Sequence, residues 1–231
     1  MIYLRKLVKK NILLYRIWIL NRNKMSLPTK KDNWYFDGYP RSGNTFSKYL
    51  FSYIYPNLKG TSHLHSIAGL KIALKRNVRS IIIFRDPLES VLSYTFTKTK
   101  RNNNPQKYDI NLLRELTEEW IDFYNFSIKN KEKILLLEFK TNSEGILSNI
   151  KTLGRFLTLT SMGENEIKEK VINFYELMQK KEDKKEPGYS SLPQIERNKF
   201  KQNIKSDLLT LECYKIALEI YVELQSINRK Y

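Results

Sequence analysis

The sequence contains very little cysteine and no long uninterrupted apolar run. Its one cysteine, Cys213, excludes an intrachain disulfide and a metal site built from several cysteines. The N-terminal segment, residues 1–24, is too short and too charged to span a bilayer, because Arg16 interrupts its longest apolar run. It also lacks the small residues that precede a signal-peptide cleavage point. The sequence therefore predicts a cytoplasmic protein whose N-terminal segment is an amphipathic helix. That helix either lies on an anionic membrane surface or packs against the domain.

Acidic residues are scarce relative to basic ones. The 231-residue chain has 24 Asp and Glu against 41 Lys and Arg, a formal charge of +17, which favours polyanionic partners such as nucleotide phosphates, anionic sugars, lipid headgroups or nucleic acid. It has no zinc-finger, ribonucleoprotein or basic-zipper signature, so we expect no dedicated nucleic-acid binding. The length suits one domain, and 41% hydrophobic residues are enough for a folded core.

Apolar strands alternate with helices from residue 33 onward. The patterns predict strands at 34–36, 81–84 and 134–137, and helices at 45–55, 87–96, 108–129, 143–157, 167–180 and 207–224. This order is typical of a parallel sheet covered on both faces. We therefore predict an α/β fold, with a single P-loop-like domain at residues 33–231 whose central parallel β-sheet is flanked by helices. A basic amphipathic helix and linker at residues 1–32 would precede it. The charged segment 181–193, with its glycine and prolines, predicts a mobile loop of the kind that often covers an active site.

The segment that joins the first predicted strand to the first predicted helix is typical of a phosphate-binding loop. Residues 38–45 read Gly-Tyr-Pro-Arg-Ser-Gly-Asn-Thr, and their backbone amides would form an anion site with the start of the helix. The spacing is nearly that of a Walker loop. However, Asn44 stands where the Walker lysine would be, and the cation is at Arg41. Asp86 follows an arginine and precedes a proline, so no clear second acidic strand end completes a magnesium site. Magnesium-dependent phosphoryl transfer is therefore the weaker interpretation.

Two segments resemble motifs of the sulfotransferases that use 3′-phosphoadenosine-5′-phosphosulfate (PAPS). Residues 39–46, Tyr-Pro-Arg-Ser-Gly-Asn-Thr-Phe, resemble the 5′-phosphosulfate loop, whose usual form is Pro-Lys-Ser-Gly-Thr-Thr-Trp. Residues 85–94 resemble the 3′-phosphate motif, which begins Arg-Asn-Pro and places a serine eight residues later. The resemblance implies sulfuryl transfer from PAPS to an acceptor hydroxyl without a metal, with Arg41 at the bridging oxygen. The nucleotide-binding residues that it implies are Arg41, Ser42, Gly43, Asn44, Thr45, Phe46 in place of the adenine-stacking tryptophan, Arg85 and Ser93.

Sulfuryl transfer needs a base that takes the proton of the acceptor hydroxyl. The chain has two histidines, His63 and His65, and a histidine titrates in the useful pH range. His63 and the leucine after it lie where the relatives carry a Thr-His-Leu-Pro segment with the catalytic histidine. We therefore predict His63 as the catalytic base, with His65 as the reserve. His65 stands where the relatives have proline, which is a departure from the family pattern.

The remaining site features are less specific. Phe139 ends the strand that finishes, in relatives, with a tyrosine near the adenine, so it is either an apolar contact or a core residue. Many cytosolic relatives close over the nucleotide with a C-terminal Arg-Lys-Gly loop, which we do not find in this sequence. Arg197 and Lys199 could supply charge to the 3′-phosphate instead, although a solvated helix face is the favoured interpretation for these two residues. The short segment between Arg41 and His63 predicts a shallow acceptor site, which suits a saccharide, lipid headgroup or peptide better than a small phenol. Two alternatives stay open: a P-loop nucleotide or small-molecule kinase, and a non-enzymatic basic module that binds a membrane surface or nucleic acid.

Overall fold

The computed structural model describes residues 7–20, 26–101, 108–160, 162–182 and 195–229. The strands are β1 (Trp34–Gly38), β2 (Gly60–Ser62), β3 (Ser80–Phe84) and β4 (Ile134–Glu138). The helices are α1 (Ile12–Leu20), α2 (Asn44–Ile54), α3 (Ile67–Lys75), α4 (Pro87–Arg101), α5 (Ile110–Ile128), α6 (Ser143–Phe156), α7 (Glu164–Glu182), α8 (Ile195–Thr210) and α9 (Glu212–Asn228). A helical turn at residues 7–10 precedes α1, and a 3-10 turn, Lys131–Lys133, precedes β4.

The strands form one parallel sheet in the order β2-β1-β3-β4. Tyr35 of β1 pairs with Thr61 of β2 on one side and with Ser80 of β3 on the other. The chain therefore passes from β1 to one neighbour and then crosses to the opposite side, which makes the gap between β1 and β3 a topological switch point. Ligands of open α/β sheets bind at such points, beyond the carboxyl ends of the strands. The segments that follow Gly38 and Phe84 meet there.

Strands β1, β3 and β4 are buried on both faces of the sheet, since successive strand residues point to opposite sides and every residue of these three strands is buried. Trp34 and Phe36 of β1 pack with α2, α6 and α7 in one apolar cluster. Tyr35 of β1 and Ile82 of β3 belong to the other cluster, which includes residues of α1, α3, α4, α5, α8 and α9. This explains why the strands read as continuous apolar runs, and it confirms the predicted α/β fold with a parallel sheet flanked by helices.

The C-terminal region differs from its prediction. The single helix predicted at 207–224 is wrong, since α8 and α9 are separate helices that meet at Leu211, whose backbone is extended at φ −76° and ψ 130°. Leu211 is buried in the core together with Leu208 and Tyr214, so the apolar pattern continues across the break and does not reveal it. The short strand β2 and helix α3 were also not predicted. Of the predicted loop at 181–193, residues 183–193 lie outside the described residues.

The predicted solvated face on α8 is wrong for one of its two cations. Lys199 is exposed, as expected, whereas Arg197 is only 5% exposed. The guanidinium of Arg197 lies over the ring of Phe96 on α4, 5.9 Å from its centroid. The high charge density of this segment therefore gave a wrong prediction for the exposure of Arg197. Helix packing buries its side chain, because the apolar stem and planar guanidinium fit against an aromatic surface.

Helix α1 packs on the domain through Tyr15 and Ile19, which are buried in the cluster beside α3 and α5. The side chain of Asn11 begins the helix by accepting hydrogen bonds from the N–H groups of Leu13 (2.9 Å) and Leu14 (3.2 Å). Within the described residues, no helix combines the length and the apolar character needed to cross a membrane. The same part of the chain also holds no cluster of three or more His, Cys, Asp or Glu side chains placed to bind a metal ion.

Candidate active site

The loop between β1 and α2 has a backbone that only certain residues adopt easily. Arg41 and Gly43 both have left-handed φ angles, 69° and 89°. A side chain at Gly43 would also collide with its neighbour, because a Cβ there would lie 2.2 Å from Cδ2 of Phe139. Glycine is therefore required at position 43 both by the backbone angle and by the close approach of an aromatic ring.

The start of α2 places a helix N-terminus at the end of this loop. Gly43 caps the helix without a side-chain hydrogen bond, and the first turn contains no acidic residue. The first N–H groups of a helix have no partner within the helix and lie at the positive end of its dipole. The geometry therefore provides hydrogen-bond donors and partial positive charge to a phosphate or sulfate placed against the loop.

A buried tyrosine braces the loop from behind. The hydroxyl of Tyr124 lies 2.9 Å from the Ile83 carbonyl oxygen and 3.1 Å from Ser42 Oγ, and it accepts a hydrogen bond from the N–H of Tyr39 at 3.2 Å. Its burial raises the pKa of Tyr124 far above 10, so the hydroxyl keeps its proton. On the other side of the loop, Asn44 Nδ2 donates to the Tyr39 carbonyl at 2.7 Å. The side chain of Ser42 is buried and its N–H already donates to the Tyr39 carbonyl at 3.2 Å, whereas Asn44, whose side chain is also buried, has mainly its backbone N–H to offer to a ligand.

His63 lies directly beside this loop. Its Nε2 is 3.2 Å from Thr45 Oγ1, and its Nδ1 is 2.9 Å from Ser62 Oγ. Burial, together with the positive charges of His65 and Lys48, lowers the pKa of His63 to about 4. The imidazole is therefore neutral at physiological pH, the state in which it can accept a proton.

His65 is held instead by a buried carboxylate that sequence reasoning missed. Oδ2 of Asp37, in β1, accepts hydrogen bonds from the Tyr35 hydroxyl (2.6 Å) and the His65 N–H (2.8 Å). Nδ1 of His65 lies 2.8 Å from the Gly38 carbonyl oxygen and 3.1 Å from Asp37 Oδ1. Burial opposes ionisation of Asp37, but the charge and hydrogen bonds of His65 and Tyr35 outweigh it and lower its pKa. The structure thus brings His63 to the phosphate loop and fixes His65 against the end of β1.

The second motif reaches the first through a direct hydrogen bond. Nε of Arg41 donates to Oγ of the buried Ser93, on α4, at 3.0 Å. Asp86, where the relatives have asparagine, accepts a hydrogen bond from the N–H of Leu88 at 2.8 Å and so caps the start of α4. Aspartate and asparagine cap helices about equally well, so the substitution preserves the local structure. Burial raises the pKa of Asp86.

Arg85 extends from the end of β3 into a small charged cluster. Its Nη2 lies 3.0 Å from Oε2 of Glu89, and the same oxygen also pairs with Nζ of Lys201 on α8. The guanidinium lies 5.4 Å from the ring centroid of Phe139, which is also the ring that covers Gly43. Phe139 therefore contacts both predicted phosphate motifs. An anion that binds Arg85 would compete with Glu89 for the guanidinium.

Phe46 belongs to an aromatic cluster at the edge of the loop. Its ring centroid is 5.4 Å from those of Phe174 and Tyr175 and 6.0 Å from that of Phe139. Phe46 itself is nearly buried, whereas Tyr175 is exposed. The predicted stacking of Phe46 on adenine stays a prediction, and the exposed ring of this cluster belongs to Tyr175.

Comparisons with known proteins show the fold. No family model matches the sequence, and no curated protein matches it. The structure is similar to that of mouse sulfotransferase SULT7A1 complexed with PAP, with a TM-score of 0.54 over 84% of this chain and 90% of that chain. Sequence identity to that protein is 11%. The chain therefore has the α/β fold seen in a sulfotransferase.

Proposed function

We propose that this chain is a sulfotransferase that uses PAPS. The observation that supports this most directly is the 3.0 Å hydrogen bond from Arg41 to Ser93, because it joins two predicted phosphate-binding motifs that lie 52 positions apart in the sequence. PAPS carries anionic groups on both its 5′ and 3′ oxygens, whereas the phosphates of ATP are all on the 5′ oxygen. A site that combines two such motifs at the switch point suits the first ligand better. The similar mouse sulfotransferase is complexed with PAP, the 3′,5′-bisphosphate that PAPS leaves after transfer, which supports the same choice.

The proposed reaction is an in-line displacement at sulfur. The acceptor hydroxyl oxygen forms a bond to sulfur while the bond from sulfur to the bridging phosphate oxygen breaks, and that oxygen keeps the electron pair. Arg41 and the loop amides stabilise the charge that develops on the leaving group. His63, neutral and 3.2 Å from Thr45, takes the proton of the acceptor. Arg85 and Ser93 bind the 3′-phosphate, as the family resemblance implies.

For the acceptor we propose a hydroxyl on a saccharide, lipid headgroup or peptide. Few residues lie between Arg41 and His63, so the chain has little material with which to enclose an acceptor beside His63. An extended molecule makes more contacts with such a shallow site than a small flat ring does.

Calorimetric titration with PAP, 5′-AMP and ATP, in EDTA, tests the donor site. We expect PAP to bind at least about tenfold more tightly than 5′-AMP, since charged hydrogen bonds to a phosphate contribute about 1.5–3 kcal/mol. ATP should bind no better than 5′-AMP. Equal affinity for PAP and 5′-AMP would contradict the proposal, and tight ATP binding that requires magnesium would favour the kinase. Binding that depends steeply on salt but not on the 3′-phosphate would indicate a basic module.

Transfer of radiolabelled sulfate from PAPS to a panel of oligosaccharide, lipid and peptide acceptors tests the base. We expect His63→Asn to lower the rate by at least about a hundredfold while PAP affinity stays the same. His65→Asn is the matched control, since the second histidine is bound to β1. If His65→Asn alone stopped transfer, the base would be His65 and the role proposed for His63 would be wrong.

A further inference from the structure

Helix α1 has an apolar stripe on the face that points away from the domain. Its members are Leu13, Ile17 and Leu20, with exposed fractions of 67%, 53% and 78%. They are three and four residues apart, so they lie along one side of the helix. The opposite side of α1 packs into the core through Tyr15 and Ile19. Scattered apolar residues are common on surfaces, but a contiguous set on a packed helix marks an interaction surface.

Basic side chains lie beside the α1 stripe at its Leu13 end. Lys10, Arg16 and Lys71 line a surface recess together with Leu13. Two of these cations are held in place. Lys10 forms an ion pair with Asp122 at 2.6 Å, and Lys71 Nζ donates to the Lys10 carbonyl at 3.2 Å. We call these three residues the basic rim. An apolar stripe with a basic rim matches the two components of an anionic bilayer surface, the acyl boundary and the charged headgroups.

We propose that the α1 stripe and the basic rim dock this protein on an anionic membrane surface, with α1 lying in the plane of the interface. The net charge of +17 acts in the same direction, since it attracts the whole protein to anionic lipid. Apolar insertion and basic contacts are the two signals that together hold a peripheral protein at a membrane.

The docked helix is connected to the candidate active site. The hydroxyl of Tyr15, on the inner face of α1, donates to the carbonyl of Leu64 at 3.1 Å, and Leu64 lies between the two histidines. The preceding helical turn is fixed by the Lys9–Glu119 ion pair at 2.9 Å, and Lys9 lines the same cavity as Pro40 and His65. Docking would therefore bring the phosphate loop close to the lipid. If the proposed sulfotransferase function is correct, on which this last step rests, the acceptor hydroxyl belongs to a molecule presented at that surface.

Vesicle co-sedimentation of the full chain tests the docking. The vesicles are phosphatidylcholine alone, or phosphatidylcholine with about a third phosphatidylglycerol. We expect the wild type to bind the anionic vesicles at least about tenfold more tightly, since each basic residue near such a surface contributes about fivefold. The triple variant Leu13→Asn, Ile17→Asn, Leu20→Asn should lose most of this binding. A control with Ile172→Asn, Leu177→Asn and Val222→Asn removes three exposed apolar side chains from α7 and α9 and should keep it.

Any of three vesicle-binding results would overturn the inference: no wild-type binding to anionic vesicles, equal binding by the stripe variant, or equal loss in the control. A wild-type dimer that the stripe variant converts to a monomer in light scattering would also overturn it, since a second copy would then cover the stripe. Circular dichroism and PAP titration of each variant show whether the fold and the nucleotide site are intact. Vesicle binding without a preference for PAP would contradict the proposed function but not the docking, and a PAP preference without vesicle binding would do the reverse.

Discussion

Replacing Gly43 with alanine should destabilise the protein through two separable effects. The first is backbone strain, because the φ of 89° costs a residue with a Cβ about 1–2 kcal/mol. The second is overlap with Phe139, whose ring atoms would lie 2.2 to 2.5 Å from the new methyl group. Overpacking of this kind costs about 1–3 kcal/mol. We therefore expect Gly43→Ala to lower the free energy of unfolding by about 2–5 kcal/mol, the sum of the two effects.

A double-mutant cycle with Phe139→Ala separates the two effects. In the Phe139→Ala background the overlap is gone, so Gly43→Ala should cost only the backbone strain of about 1–2 kcal/mol. Urea unfolding of the four proteins measures the difference, and PAP titration reports the effect on the loop. A coupling energy below about 0.5 kcal/mol would refute the reasoning, because it would mean that Phe139 does not cover Gly43.

Three further predictions follow from buried polar groups. Because the folded-state pKa of His63, about 4, lies below its ordinary value of 6.5, stability should fall as the pH drops from 6.5 to 4, and His63→Asn should remove that part of the pH dependence in urea unfolding. Tyr124→Phe should cost about 1–3 kcal/mol in thermal unfolding, since it leaves the buried Ile83 carbonyl without its donor, and an unchanged melting temperature would contradict the bracing role. Hydrogen bonds from Lys140, Tyr221 and Gln225 lower the pKa of Glu138 despite its burial. The ionised Glu138 therefore stabilises the folded state above pH 4.5, and this stabilisation is lost as the pH falls through the lowered pKa. Glu138→Gln should reduce the loss of stability at acid pH in urea unfolding, and a loss as steep as that of the wild type would contradict this prediction.

Much of the fold could be predicted because its signals are local. Runs such as residues 81–84 mark buried strands, and the glycines of residues 38–45 mark the turn between strand and helix. The predicted nucleotide-binding residues lie within two short segments, one after β1 and one after β3, so local patterns were enough to find them. Their meeting at one end of the sheet follows from parallel pairing of β1 and β3, which the alternation of strands and helices predicted.

What could not be predicted depends on contacts between distant segments. Asp37 pairs with His65 only because the chain after β2 returns to the end of β1, and no spacing in the sequence encodes that return. The one available signal was a carboxylate in an otherwise aromatic strand, since a buried charge needs a partner. Likewise Arg197 looked solvated in a charged segment, and only its packing on Phe96 shows otherwise. The break at Leu211 was hidden because both adjoining helices bury the same apolar pattern.

Recognition of the 3′-phosphate is the central claim, and affinities of wild type and Arg85→Ala for PAP and 5′-AMP test it most directly. We expect Arg85→Ala to weaken PAP binding by about 10- to 100-fold, the equivalent of one charged hydrogen-bond pair, and to leave 5′-AMP binding unchanged. Lys199→Ala, which removes an exposed cation from α8, is the control and should change neither. Equal weakening of both nucleotides by Arg85→Ala, or no effect on PAP, would contradict the account.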